Sequence, residues 1–143
     1  MSKKLVFDYG NIFIAKEDQE VAFNDLKTAL ILEHSKRTGN ENKLLWIDIA
    51  KVNNCDNLKD LLTICQWHAE YDLNNNIDTL KSNINLLGED ELIFKSLAPS
   101  INNDSILIMY AENEIDLYRE YRYIFDDGSM FKIKENGARI LVS

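Results

Sequence analysis

The chain is poor in the residues that punctuate or staple a fold. It has one proline, five glycines and two cysteines among 143 residues. Two cysteines, Cys55 and Cys65, are too few for a secreted disulfide scaffold of this size, so free thiols in a reducing compartment are expected. The glycines stand alone at 10, 39, 88, 128 and 137, and isolated glycines build neither a dinucleotide fingerprint nor a phosphate-cradling loop. No apolar run approaches the roughly 20 residues that cross a bilayer. The start, Met1-Ser2-Lys3-Lys4, leads into no long hydrophobic segment, so neither a membrane span nor a secretory signal is expected, and a cytoplasmic protein is. Basic residues are scarce as well, 16 against 24 acidic, for a net charge of −8. Phosphate binding draws on clustered Lys and Arg, so this balance argues against nucleic acid as a direct partner.

What remains is ordinary globular material, 45% apolar and 28% charged. A chain of this length forms one domain over residues 1–143 and hides roughly two-thirds of its extended surface. Its charge is unevenly spread. Residues 1–38 carry six basic and six acidic side chains, and residues 105–143 carry five and seven. Residues 39–104 carry five and eleven, a net −6. The acidity thus belongs to the middle of the chain, around Asp56, Asp60, Glu70, Asp72, Asp78 and the run Glu89-Asp90-Glu91. One-signed charge concentrated in one segment steers an oppositely charged partner; it also serves solubility.

Periodicity predicts an α+β fold. Leu5–Tyr9 and Ile12–Ala15 flank Gly10-Asn11 and read as an N-terminal β-hairpin. From Asp18 to Arg37, Ala22, Phe23, Leu26, Ala29 and Leu30 share a helical face, with Gly39 placed to end it. Leu44–Val52 reads as a strand with Asp48 on a wet face. Asp56 is a candidate cap for a helix to Tyr71, with Leu58, Leu61, Leu62, Cys65 and Ala69 inward. Asn74-Asn75-Asn76 interrupts. Ile77, Leu80, Ile84 and Leu87 then form a second helical stripe, closed by Gly88. A short helix from Asp90 to Leu97 stops before Pro99. Ser105–Tyr110 reads as a central strand. Asp127-Gly128 and Asn136-Gly137 then divide Tyr121–Phe125, Met130–Ile133 and Ala138–Val142 into an antiparallel β-meander. One sheet with the central helices on one face is the expected architecture.

No catalytic constellation stands out. Cys55, Cys65 and His68 lack the paired Cys-x-x-Cys knuckle of a zinc site, and Cys65 sits on a leucine stripe where cysteine acts as a small hydrophobe. Neither a metal nor a cofactor is expected. A small enzyme would have to assemble its site from His34, His68, Cys65 and Asp48. The acids around the helix raise a thiol pKa rather than activate it. Asp126-Asp127 and Glu89-Asp90-Glu91 have sufficient roles in a turn and at a helix start.

One feature exceeds the needs of a core. In the helix expected from Asp56 to Tyr71, a second stripe of Asp60, Ile64, Trp67 and Tyr71 lies opposite the leucines. Glu70, Asp72 and Asp78 continue its acidic frame. Trp and Tyr dominate interface hot spots, and exposed apolar patches mark partner sites. Burial of the helix on both sides is the competing account of Trp67. The pattern points to a small acidic protein-binding inhibitor, immunity- or antitoxin-like and of bacterial or phage type. Its target would be a basic protein, a toxin nuclease for instance, whose active or nucleic-acid-binding surface it occludes. An adaptor or homo-oligomeric subunit without catalysis is the alternative reading.

Overall fold

A computed structural model describes residues 8–37, 47–82, 87–112 and 118–143. The element order is β1 (Asp8–Asn11), α1 (Gln19–Lys36), α2 (Ile49–Asn54), α3 (Leu58–Ile64), β2 (His68–Tyr71), β3 (Ile77–Ser82), α4 (Leu87–Leu97), β4 (Ile106–Glu112), β5 (Tyr118–Asp126), β6 (Ser129–Ile133) and β7 (Arg139–Leu141). The strands form one sheet in the order β2-β3-β1-β4-β5-β6-β7, and every pairing is antiparallel. The α+β class therefore holds, with a strand first, helices in the middle and strands last. Among the described residues no helix is long and apolar enough to cross a membrane.

The C-terminal meander follows its turn residues. Asp127 and Gly128 both take positive φ, 51° and 80°, the conformation of a two-residue hairpin turn. At the next corner only Gly137 does so, at 84°. There Gly137 N–H donates to the Lys134 carbonyl and Lys134 N–H to that of Ala138, closing a three-residue loop. Alternation along β5 places Tyr123 and Phe125 in the core and Tyr121 half-buried against it.

The first half of the chain departs from its pattern at several points. Among the described residues the expected turn of the N-terminal hairpin is replaced by strand: β1 runs through Gly10-Asn11 and lies between β3 and β4, with Gly10 paired to Leu80 on one side and Leu107 on the other, while Leu5–Phe7 lie outside the described residues. Gly10 is needed for space rather than for a turn. A Cβ there would lie 2.6 Å from Ile12 Cγ1 and 3.2 Å from Leu107 Cδ1.

The helix α1 matches expectation, burying Ala22, Leu26 and Leu30; Gly39 lies outside the described residues. The strand expected over 44–52 is corrected. Leu44–Trp46 lie outside the described residues, and α2 starts at Ile49 because Asp48 caps it, accepting from Ala50 N at 3.0 Å and Lys51 N at 3.4 Å.

The helix expected from Asp56 to Tyr71 is halved. Asn57, not Asp56, caps α3, its Oδ1 accepting from Asp60 N at 2.8 Å. The helix ends at Ile64 in a Schellman motif. Gln66 adopts φ 69°, its N–H donates to Thr63 O, and Trp67 N–H donates to Leu62 O. Because a glutamine occupies the left-handed position where glycine usually stands, no stop signal is visible in the residues. The chain then turns into β2.

The helix expected over 77–87 is likewise replaced, over Ile77–Ser82, by β3; Ile84 lies outside the described residues, and Leu87 and Gly88, the expected stop, fall in α4. Glu70 pairs with Thr79 and Tyr71 with Ile77, so Asp78 is an extra residue in a β-bulge. That insertion puts Ile77 and Leu80 on the buried side three positions apart, which imitates a helical spacing. The interruption at Asn74-Asn75-Asn76 is the β2–β3 turn, with Asn75 at φ 64°.

The helices cover one face of the sheet. Between the two layers lie Leu26, Leu30, Leu61, Leu62, Leu80, Phe94, Leu107, Met109, Tyr123 and Phe125, all at most 1% exposed. Trp67 meets Phe94 edge-on with ring centroids 4.8 Å apart, a favoured aromatic geometry.

Candidate partner-binding surface

The stripe of Asp60, Ile64, Trp67 and Tyr71 does not exist as one surface, since the helix that would carry it ends at Ile64. Trp67 is 1% exposed. Its Nε1 donates to Asp90 Oδ1 at 3.0 Å, so its polar edge is satisfied inside the core. It is corrected from a surface anchor to a core residue, as the competing account of its burial has it.

The remaining residues divide between separate settings. Glu70 lies on the sheet face opposite the helices, 3.0 Å from Lys81 Nζ. Asp72 belongs to the β2–β3 turn. Its Oδ1 accepts from Asn74 N at 2.8 Å and Asn76 N at 2.9 Å, and its Oδ2 from Asn76 Nδ2 at 3.0 Å. These bonds, the Asn76 amide first, hold its carboxyl below the usual range. Asp78 is the exposed bulge residue.

Asp60, Ile64 and Tyr71 do stay near one another, around Asp56. Tyr71 is half-buried and packs against the core with Phe23 and Ile64. Burial, and then the charge of Asp60, pushes its hydroxyl pKa up. A groove of about 360 Å³ runs between α1 and α3, lined by Phe23, Leu58 and Tyr71 with Glu20, Asp56 and Lys59 among its polar residues. Next to it, Asp56, Asp60 and Ile64 line a second depression with Ala50, Lys51 and Cys55. Asp56 belongs to both. Lys27 secures the ground between them, its Nζ donating to Asn53 O at 3.0 Å and Cys55 O at 2.9 Å. Together the hollows form an aromatic and aliphatic floor bordered by Glu20, Asp56 and Asp60, with Lys51 and Lys59 also at their edges.

Phe23 and Glu20 were not among the residues expected here. Their signal is present in the sequence: Phe23 sits at the margin of the buried stripe of α1, one residue beyond Ala22. What brings them to Tyr71 is the packing of α1 on α3, which no local pattern reports.

The candidate catalytic residues occupy four different settings. Cys65 is 1% exposed, and burial, then Asp90, then Cys55 push its thiol pKa up to about 12. His68 is exposed at the start of β2, opposite Lys81 on the open sheet face. Asp48 caps α2, and His34 lies in the last turn of α1. Among the described residues no group of three or more His, Cys, Asp or Glu is placed to hold a metal ion. Tyr123, deep in the core, donates its hydroxyl to Glu91; burial first, and that bond second, push its pKa up. Comparison with known proteins gives no match, neither to a family model, nor to a curated protein, nor to a solved structure.

Proposed function

We propose that this chain is a stoichiometric inhibitor of a basic protein, immunity- or antitoxin-like, which binds its target through the groove between α1 and α3. The observation that carries this reading is the half-buried Tyr71, set on an apolar floor with Phe23 and Leu58 and bordered by Glu20, Asp56 and Asp60. An aromatic anchor held by the core loses little entropy on binding, and tyrosine is a frequent hot-spot residue. Carboxylates around it favour a partner that brings Lys or Arg, and they speed the encounter. On this reading a nuclease domain is a fitting target, since a surface evolved to hold phosphates offers the complementary charge.

The test uses the binding partner recovered from the source organism and titrated calorimetrically. A basic partner bound at one-to-one stoichiometry is expected, with affinity that falls as salt rises. Tyr71→Ala should weaken binding at least about 30-fold, the loss of about 2 kcal/mol. The double reversal Asp56→Lys with Asp60→Lys should act mainly by slowing association. A partner bound with undiminished affinity by both variants would overturn the groove as the binding surface.

A further inference from the structure

The face of the sheet turned away from the helices carries an apolar band. Ile106, Ile124, Phe131 and Leu141 pair side by side across β4, β5, β6 and β7. In the adjoining row Ile108 and Ile133 flank Arg122, and Tyr9 on β1 pairs with Ile108. Ile106 is 45% exposed and Leu141 54%. The described helices pack on the opposite face of the sheet. The polar groups around it are already matched within the chain: Glu70 with Lys81 at 3.0 Å, Glu120 with Arg122 at 2.7 Å and Asp126 with Arg139 at 3.2 Å. Arg139 also lies over the Phe131 ring, 5.5 Å from its centroid.

We infer that this open sheet face is where a second copy of the chain docks, the two sheets stacking about a two-fold axis. Charge selects the occupant. A chain of net charge −8 repels its own copy, but among the described residues the three ion pairs leave this face neutral. A basic partner gains little here, because each of those carboxylates already has its cation. A neutral apolar row is complementary to itself, as an isologous contact requires. Twisted sheets stack this way about 10 Å apart with strands inclined by about 30°. Five strand spacings of ~4.8 Å by roughly 20 Å of strand cover on the order of 500 Å² a side. The total of roughly 1,000 Å² sits at the lower limit of a specific interface, so the dimer is weak and depends on concentration.

Sedimentation equilibrium on the full chain tests this, from about 10 µM to about 300 µM, the range in which a weak dimer dissociates. A reversible monomer–dimer equilibrium is expected. It should tighten by about threefold or more between about 50 mM and 500 mM sodium chloride, because salt screens the repulsion between two acidic chains. A complex with a basic protein shows the opposite salt dependence. Ile124→Glu should weaken association at least about tenfold. Leu141→Lys, on the edge strand, provides the same reading should Ile124→Glu fold poorly. Tyr71→Ala, in the groove, should leave the dimer unchanged. A monomer at every concentration and salt would overturn the inference. So would a dimer that survives both sheet variants, or one lost with Tyr71→Ala. A monomer that instead co-sediments with neutral phosphatidylcholine vesicles would assign the face to lipid and overturn it equally.

Discussion

The two faces of the sheet handle polar groups in opposite ways. On the covered face they are few, buried or half-buried, and they bond to one another against the core. Trp67 donates to Asp90 and Tyr123 to Glu91, while Asp8 accepts from Tyr110 N at 2.9 Å. On the open face charges are more numerous and exposed and form ion pairs with one another, while isoleucines and a phenylalanine lie between them. The difference locates stability and recognition in separate layers. Deleting a partner on the covered face strands a polar atom where water cannot reach it. Deleting one on the open face returns the other to solvent, so exposed pairs contribute about 0–1 kcal/mol each. Substitution should therefore cost stability on one face and association on the other.

The strongest way to break that comparison is Trp67→Ala. It removes a fully buried indole that packs on Phe94 and takes away one hydrogen bond to the Asp90 carboxylate. A loss of about 4–5 kcal/mol is expected from the cavity and the lost buried hydrogen bond together, a large share of a small domain's total stability. Trp67→Phe keeps most of the volume and should cost about 2 kcal/mol, largely the hydrogen bond. Phe131→Ala on the open face should change stability by under about 1 kcal/mol. Urea denaturation of the three variants decides the matter. Equal losses at Trp67 and Phe131 would show that the open face is not open. The same burial makes Cys65 inert: a thiol reagent should modify it only as fast as the protein unfolds.

Asp8 sharpens the comparison through pH. It is a carboxylate on the covered face, 1% exposed, and its Oδ2 has no hydrogen-bond partner among the described residues. Burial outweighs the Tyr110 amide and pushes its pKa up to about 6 from 3.8. A carboxyl raised in the folded state binds its proton more tightly there than in the unfolded chain. Its contribution is complete below 3.8 and is lost as pH rises through about 6. Ionised Asp8 thus destabilises the fold at pH 8. Asp8→Asn should stabilise the protein there by about 1–2 kcal/mol, with the gain shrinking toward zero at about pH 4. Asp72, half-exposed in the β2–β3 turn and held low by the Asn76 amide, has the opposite sign, its contribution fading only as pH falls through the acid range. A stability difference between Asp8→Asn and the parent that does not vary with pH would show that Asp8 is solvated.

These contrasts also explain how much was legible in the residues. The meander was, because Asp127-Gly128 and Gly137 demand particular backbone conformations wherever they occur. Helix α1 was, because Ala22, Leu26 and Leu30 repeat without interruption. The segment from Asp56 to Ser82 was not, for two local reasons. Gln66 ends α3 in a conformation that glycine usually marks, and the bulge at Asp78 turns a two-residue alternation into a three-residue spacing. Both distortions favoured helix, and together they displaced Trp67 from core to surface in the expected site. Of that site, Asp60, Ile64 and Tyr71 remain neighbours, since Ile64 closes α3 and β2 returns past it. Phe23 and Glu20 join them only through packing between helices. The open sheet face was illegible for a different reason. Ile106–Tyr110 is apolar at every position, which reads as burial on both sides, whereas the helices cover only one.

Gln66 provides the smallest and most local test. A residue with a Cβ in the left-handed region costs about 1 kcal/mol relative to glycine, and Gln66 sits there at φ 69°. It is exposed, so its side chain supports no core contact that would be lost. Gln66→Gly should therefore stabilise the fold by about 0.5–1 kcal/mol. The gain is partly offset by the greater freedom of glycine in the unfolded chain. Gln66→Val, with a branched Cβ, should destabilise by more than that. The pair of substitutions isolates the backbone at the junction that turns α3 into β2 and aims Trp67 inward. If glycine and valine have the same effect, Gln66 is not held in the left-handed region, and the Schellman motif that separates the buried Trp67 from the accessible Asp60 and Ile64 is absent in solution.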